Sequence, residues 1–322
     1  MECKSTQFAI PWGPYSFEQY QTNDKFERTI SFYLSEAPTG QEKVPLVVYI
    51  GGSGGGSVFR RHADGSYYGT NYDTYLQPLN GRARLLLVEK PGVKLFDDNA
   101  GVAEGCSEEF LREHTLERWT EANNAAIAAA QTLIGIDCSK LLVIGHSEGG
   151  QVATHVAATN ANVTHVASFA TSGPTQLFDA IYNSYAKSQH DDGEKTSMTQ
   201  NSTALVESVC RAWADIQSNK DSITKFWAGH PYRRWYSFCS SSRLEDLLRS
   251  SAKAYLVHGT NDSSAPVVGF DVLQAELLAH GRKFMAERIE GADHSLVIDF
   301  GKKEMVDLRP QVIARVISWF LD

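Results

Sequence analysis

No run of about 18 apolar residues occurs in the chain, so it holds no transmembrane helix of the usual length. Positive charge is in deficit. Lys and Arg number 30 against 38 Asp and Glu, for a formal net charge of −8. That sign argues against a nucleic-acid binder working by counterion release, and against attraction to anionic membranes. Cysteines are few: Cys3, Cys106, Cys138, Cys210 and Cys239. None forms a CxxC pair or a zinc-like spacing, which argues against a structural metal site. Cys210 and Cys239 share one segment and would bridge only in an oxidising compartment. The start, MECKSTQFAIPWG, has no apolar core of a signal peptide. The compartment stays open between cytoplasm and export after removal of a leader, Cys3 being the one position suited to a lipid anchor. No Gly-Lys-Ser/Thr sequence of a phosphate-binding loop occurs, and there is no internal repeat or low-complexity tract.

What is present is a rhythm of buried strands and helices. Hydrophobic residues are 42% of 322, enough for a sizeable core. FERTISFYL (26–34) reads as a half-buried strand. VPLVVYI (44–50), RARLLLVEK (82–90), KLLVIG (140–145), VTHVASFAT (163–171) and AKAYLVHG (252–259) are short apolar runs, as expected of strands covered on both faces. KFMAERIEG (283–291) is a last strand. Residues 116–135, 149–160, 270–281 and 310–322 read as helices. The alternation predicts an α/β fold: a doubly wound, mostly parallel sheet. It breaks between 175 and 250, a polar, Trp-containing and mainly helical stretch. The expected organisation is a core of residues 1–174 and 251–322 with an inserted cap at 175–250.

The chemistry gathers at strand ends. Ser147 lies in Gly145-His146-Ser147-Glu148-Gly149, between a buried-type strand and a small-residue helix. A serine on such a turn has strained backbone angles, and the flanking glycines remove side chains that would clash. A serine nucleophile needs a base, and the base needs an orienting acid. Asp262 follows the strand AYLVHG and His294 follows the strand KFMAERIEG, so three strand ends carry Ser, acid and His in that order. Asp293 is the competing acid, but its adjacency to His294 makes a carboxylate–Nδ1 bond awkward. The oxyanion needs two N–H donors. Glu148 N–H is one. The other is expected from Gly51-Gly52-Ser53-Gly54-Gly55-Gly56-Ser57, with Gly52 first and Ser53 next. A dinucleotide loop would need a helix directly after these glycines, and VFRRHADGSYYGTNY is no obvious amphipathic helix.

These segments, YIGGSGGGS, GHSEGG, HGTNDSSAP and GADHS, resemble those of the α/β-hydrolase fold serine hydrolases over roughly residues 26–322 without the insertion. The resemblance implies an eight-stranded sheet, an acyl-serine intermediate and no cofactor or metal. Ile50 stands where many members have His, and Glu89-Lys90-Pro91-Gly92 where relatives often carry Asp-x-Arg-Gly. The expected reaction is hydrolysis of a carboxylic ester. The alternatives are a serine peptidase of prolyl or aminopeptidase type, a thioesterase, or a non-catalytic binder on the same fold. The expected partner is a small-molecule ester or a short peptide; no oligomeric state is assigned. The Glu148 side chain would either meet a substrate cation or sit in an ion pair, with Lys90 as a candidate partner. Ser53, Lys90, Trp227, Arg233 and Arg234 are candidate substrate contacts. The two arginines suit an aromatic or carboxylate-bearing group, whereas Trp213 and Trp227 suit the core of the cap better than a substrate clamp.

Overall fold

The computed structural model describes residues 3–36, 40, 43–100, 103–187, 195–301 and 304–322. Nine strands form the main sheet: β1 (Lys4–Trp12), β2 (Tyr15–Asn23), β3 (Thr29–Ser35), β4 (Val44–Ile50), β5 (Arg84–Val88), β6 (Ile136–His146), β7 (His165–Phe169), β8 (Lys253–Gly259) and β9 (Phe284–Ile289). Their spatial order is β1-β2-β3-β5-β4-β6-β7-β8-β9. The first three strands and β5 pair antiparallel. From β5 onward all neighbours are parallel. The sheet therefore has one strand more than the resemblance implies.

Among the described residues, ten helices accompany it: α1 (Asp73–Leu79), α2 (Glu108–Glu113), α3 (Leu116–Ala130), α4 (Glu148–Thr159), α5 (Gln176–Lys187), α6 (Lys195–Ser218), α7 (Tyr232–Cys239), α8 (Arg243–Arg249), α9 (Val267–Ala279) and α10 (Arg309–Leu321). Successive side chains of a strand point to opposite faces. In β4, Leu46, Val48 and Ile50 join a core with Trp119 of α3, Val152 of α4 and Phe270 of α9. Val47 points the other way, into a core with Tyr75 of α1 and Val312, Val316 and Phe320 of α10. Both faces are dry, which is why these strands read as unbroken apolar runs.

The N-terminal hairpin β1–β2 and helix α1 were not expected. Both hairpin strands mix polar and aromatic residues and lie toward an edge, so neither carries a continuous apolar signal. The stretch after the glycine loop forms a small hairpin, Phe59–Arg61 against Tyr67–Gly69, before α1. Helices α5 to α8 run between β7 and β8. Within them, Phe238 and Leu247 belong to the same core as α4, and Gln151 of α4 donates to the carbonyls of Phe238 and Ser241. The C-terminal part of the 175–250 stretch is thus fastened to the sheet layer. No disulfide joins Cys210, which is exposed, to Cys239, which is buried. Among the described residues, no helix is long and apolar enough to cross a membrane.

Candidate active site

Ser147 stands between the end of β6 and the start of α4, with φ 57 and ψ −127. That left-handed turn is strained for any residue with a side chain. It is tolerated because its neighbours are glycines in close contact. A Cβ on Gly145 would overlap the Gly149 carbonyl, and a Cβ on Gly149 would overlap the Gly51 carbonyl. The turn aims the serine hydroxyl past the C-terminal edge of the parallel strands.

The loops after β8 and β9 bring two more side chains to that edge. His294 Nε2 lies 2.9 Å from Ser147 Oγ. His294 Nδ1 lies 2.8 Å from Asp262 Oδ2. Asp262 Oδ1 also accepts from Ser264 N at 2.8 Å and Ala265 N at 2.9 Å. A carboxylate so engaged is an acceptor, so Nδ1–H donates to it and Nε2 is left to accept the Ser147 proton. Asp293 faces elsewhere, accepting from Ser295 N and Val297 N at 2.8 and 2.9 Å in its own turn. Two further histidines brace the arrangement. His146 Nε2 donates to the His294 carbonyl at 2.8 Å, and His258 Nε2 donates to the Ala265 carbonyl at 2.8 Å. Burial lowers both to about 4, which keeps them neutral donors.

A sequence model of the alpha/beta hydrolase family matches residues 47–308, which includes the glycine loop, the elbow and both loops that carry Asp262 and His294. The chain belongs to the alpha/beta hydrolase family. No curated protein sequence matches it. Among solved structures it is similar to an acetyl xylan esterase from Paenibacillus sp. R4, at TM-score 0.60 and 13% identity, over 99% of this chain and 88% of that one. Est1E from Butyrivibrio proteoclasticus is similar at TM-score 0.55 and 14% identity, over 94% of this chain and 97% of that one. The uncomplexed acylaminoacyl peptidase of Pyrococcus horikoshii is similar at TM-score 0.60 and 16% identity, over 94% of this chain but 41% of that one. At such identities the likeness is one of fold.

In this alpha/beta hydrolase, the glycine loop is clamped from below. Lys90 donates from Nζ to the Gly52 carbonyl at 2.6 Å and to the Gly54 carbonyl at 2.5 Å, with its ammonium over the Trp119 ring. Burial lowers Lys90 to about 8. Its neighbour Glu89 holds the far end of the loop, accepting from Ser57 Oγ at 2.5 Å and Val58 N at 3.2 Å. Burial raises Glu89 to about 7.

The Glu148 carboxylate is engaged by protein donors. It lies 2% exposed against Arg234 at 5%. Arg234 donates from Nε at 2.8 Å and also from Nη2, both to Oε2. His114 Nε2 donates to Oε1 at 2.6 Å. Burial alone would raise this acid, but the charges and hydrogen bonds of Arg234 and His114 hold it well below the ordinary range. Lys90 is therefore not its hydrogen-bonded partner: that ammonium is spent on the loop carbonyls. His114 was not singled out in the sequence, where a lone histidine before α3 carries no signal.

A cavity of about 220 Å³ opens beside Ser147 and His294, bordered by Ser53, Glu148, Arg234 and Trp235. Arg233 and Trp227 do not border it. Successive residues of a helix point about 100° apart, so Arg234 and Trp235 of α7 meet the cleft side while Arg233 bonds the Arg112 carbonyl and Asp221. Trp227 takes the Trp235 indole N–H on its carbonyl and packs against that ring. Trp235, rather than Trp227, is the indole at the cleft. A second cavity, of about 470 Å³, lies on the other side of the glycine loop, bordered by Tyr49, Gly52, Tyr75, His146 and Ser295.

Proposed function

We propose that this chain hydrolyses a carboxylic ester through an acyl-serine intermediate. The observation that carries the reading is the unbroken relay from Ser147 Oγ to His294 at 2.9 Å and from His294 to Asp262 at 2.8 Å. Ser147 Oγ attacks the acyl carbon while His294 Nε2 takes its proton. His294 returns that proton to the departing alcohol as the C–O bond breaks. Water, deprotonated by the same nitrogen, then attacks the acyl-serine and frees the acid. Asp262 stabilises the imidazolium and fixes its tautomer. No metal or cofactor enters any step.

The oxyanion is held by Glu148 N–H, the first of α4, and by an N–H of the glycine loop. A trans peptide sets its C=O and N–H on opposite sides. With the Gly52 carbonyl drawn to Lys90, the following N–H, that of Ser53, is turned the other way, and Ser53 borders the cavity beside Ser147. That favours Ser53 over Gly52 as the second donor and makes Lys90 a positioning residue.

The fold serves esterases and peptidases alike, so the choice rests on the chain's own residues. An aminopeptidase reading needs Glu148 free to meet an amine. Both of its oxygens are occupied by protein donors, which supports the ester reading. The test is a panel of p-nitrophenyl acetate and butyrate against prolyl and alanyl p-nitroanilides, with a fluorophosphonate adduct located by mass spectrometry. Ester turnover, an adduct on Ser147, and loss of both in Ser147→Ala are expected. Turnover confined to the anilides, or an adduct elsewhere, overturns the reading.

A further inference from the structure

One carboxylate in the cleft has an oxygen buried without a well-formed hydrogen bond. Asp179 lies on α5 and borders the cavity of about 220 Å³ that also touches Ser147 and His294. Residues three and four apart share a helix face, so Gln176, Asp179 and Asn183 line up along one side of α5. The outer two are committed to the protein. Gln176 Nε2 donates to Gln151 Oε1 of α4 at 3.0 Å, and Asn183 Nδ2 donates to the Ser264 carbonyl, in the loop that carries Asp262, at 2.9 Å. These two bonds fix α5 over the nucleophile. The residue between them has no such tie: Asp179 Oδ1 is shielded from solvent and makes no hydrogen bond of normal geometry, its one polar neighbour being the Ser172 hydroxyl, which lies close enough to favour the charged form.

The charges around Asp179 do not neutralise it at contact. Arg243 is the attractive cation, yet its Nη1 donates to Ser168 Oγ at 2.8 Å, and it stays outside ion-pair distance of Asp179. The Asp262 charge repels, and His294 attracts. Among the described residues, the guanidinium on the cavity wall is that of Arg234, which is already held by Glu148. A desolvated carboxylate with one hydroxyl neighbour and no cation at contact is expensive, and such groups in clefts are candidates for ligand contact.

We propose that Asp179 is a substrate-binding residue, and that the group of the ester lodged in this cavity is small and polar and presents a hydrogen-bond donor to it. The donor is a hydroxyl or a protonated amine; a purely aliphatic chain would leave the carboxylate with no partner beyond the Ser172 hydroxyl. This deepens the ester-hydrolase reading and rests on it. Burial raises Asp179 to about 7, against the lowering by Ser172 and Arg243. The proton therefore competes with the substrate group, and the preference for a donor weakens as pH falls below about 7.

The experiment compares short esters with and without a hydrogen-bond donor. On the alcohol side these are propyl, 2-hydroxyethyl and 2-(dimethylamino)ethyl acetate. On the acyl side they are p-nitrophenyl butyrate and 3-hydroxybutyrate. Binding of the same alcohol-side esters to Ser147→Ala is followed by calorimetry, which needs no turnover. A donor-bearing ester is expected to be favoured by about tenfold to a hundredfold, the range of a charge-assisted hydrogen bond, mainly through KM. In Asp179→Ala that ratio falls toward one. Asp179→Asn separates the two donors: an amide still accepts from a hydroxyl but loses the attraction for an ammonium. The same ratio in wild type, Asp179→Ala and Asp179→Asn, in kinetics and in calorimetry, overturns the proposal. If Ser147→Ala still turns over the esters, the hydrolase reading falls while the binding comparison continues to judge Asp179.

Discussion

At the scale of single residues, position in the fold sorts groups of the same chemistry into different tasks. Asp293 adjoins His294 in the chain and Asp262 lies 32 residues before it, yet it is the distant carboxylate that meets the ring. Asp262 bonds the imidazole, and Asp293 closes a turn through backbone N–H groups. Asp262→Asn is expected to lower kcat by about 10⁴-fold, because an amide that donates to Nδ1 imposes the wrong tautomer. Asp293→Asn should cost far less. Steady-state kinetics on an ester that the wild type cleaves decide it, and a larger loss in Asp293→Asn would move the acid to that position. Ser147 and Asp262 each follow an apolar run that reads as a buried strand, and His294 follows the more polar strand KFMAERIEG, so all three positions were legible in the sequence. His114, Trp235 and Asp179 were not, because burial of one polar side chain among many leaves no pattern in the chain.

At the scale of elements, the contact of α7 with α4 is made through a buried ion pair. Arg234 covers Glu148 and stacks on Trp235 and Phe238, at 4.2 and 4.8 Å to their ring centroids. Removing one member strands the other's charge in the interior. Arg234→Met is expected to destabilise by about 3–5 kcal/mol, read from urea unfolding. Pairing it with Glu148→Gln should recover part of that loss. If the single and the double variant unfold alike, the pair does not hold these helices together. The arginine pair at 233–234 also illustrates what periodicity leaves open. Helical spacing says that the two side chains diverge, but which one meets the cleft depends on how α7 is rotated against α4. The hairpin β1–β2 was missed for a related reason: edge strands bury too little of one face to alternate cleanly.

At the scale of the whole molecule, buried histidines shape the response to acid. Burial lowers His146, His165 and His258 to about 4 and His230 to about 3, from a usual 6.5. The unfolded chain takes up these protons first, so stability falls as pH drops from 6.5 toward 4. Glu148, held low by its partners, acts in the same direction. Glu89 and Asp179, each raised to about 7, act oppositely: their contribution is present at low pH and is lost as pH rises toward 7. The histidines and Glu148 outnumber them, so the melting temperature should fall steadily from pH 6.5 to pH 4. A flat or rising profile over that range would contradict the neutral, buried state of these rings.

Local sequence determined the strand-and-helix rhythm, the tight turn at Ser147 and the placing of Asp262 and His294 after two later strands. Those features depend on periodicity, glycine placement and turn chemistry within a few residues, which the chain carries directly. Tertiary structure alone decided that Glu148 is sealed by Arg234 and His114, that Lys90 serves the glycine loop, and that Asp179 is left facing the cleft. Each of those outcomes joins side chains tens of residues apart. Whether a charged group meets another charge, a carbonyl or an open cavity is settled by how the helices pack on the sheet.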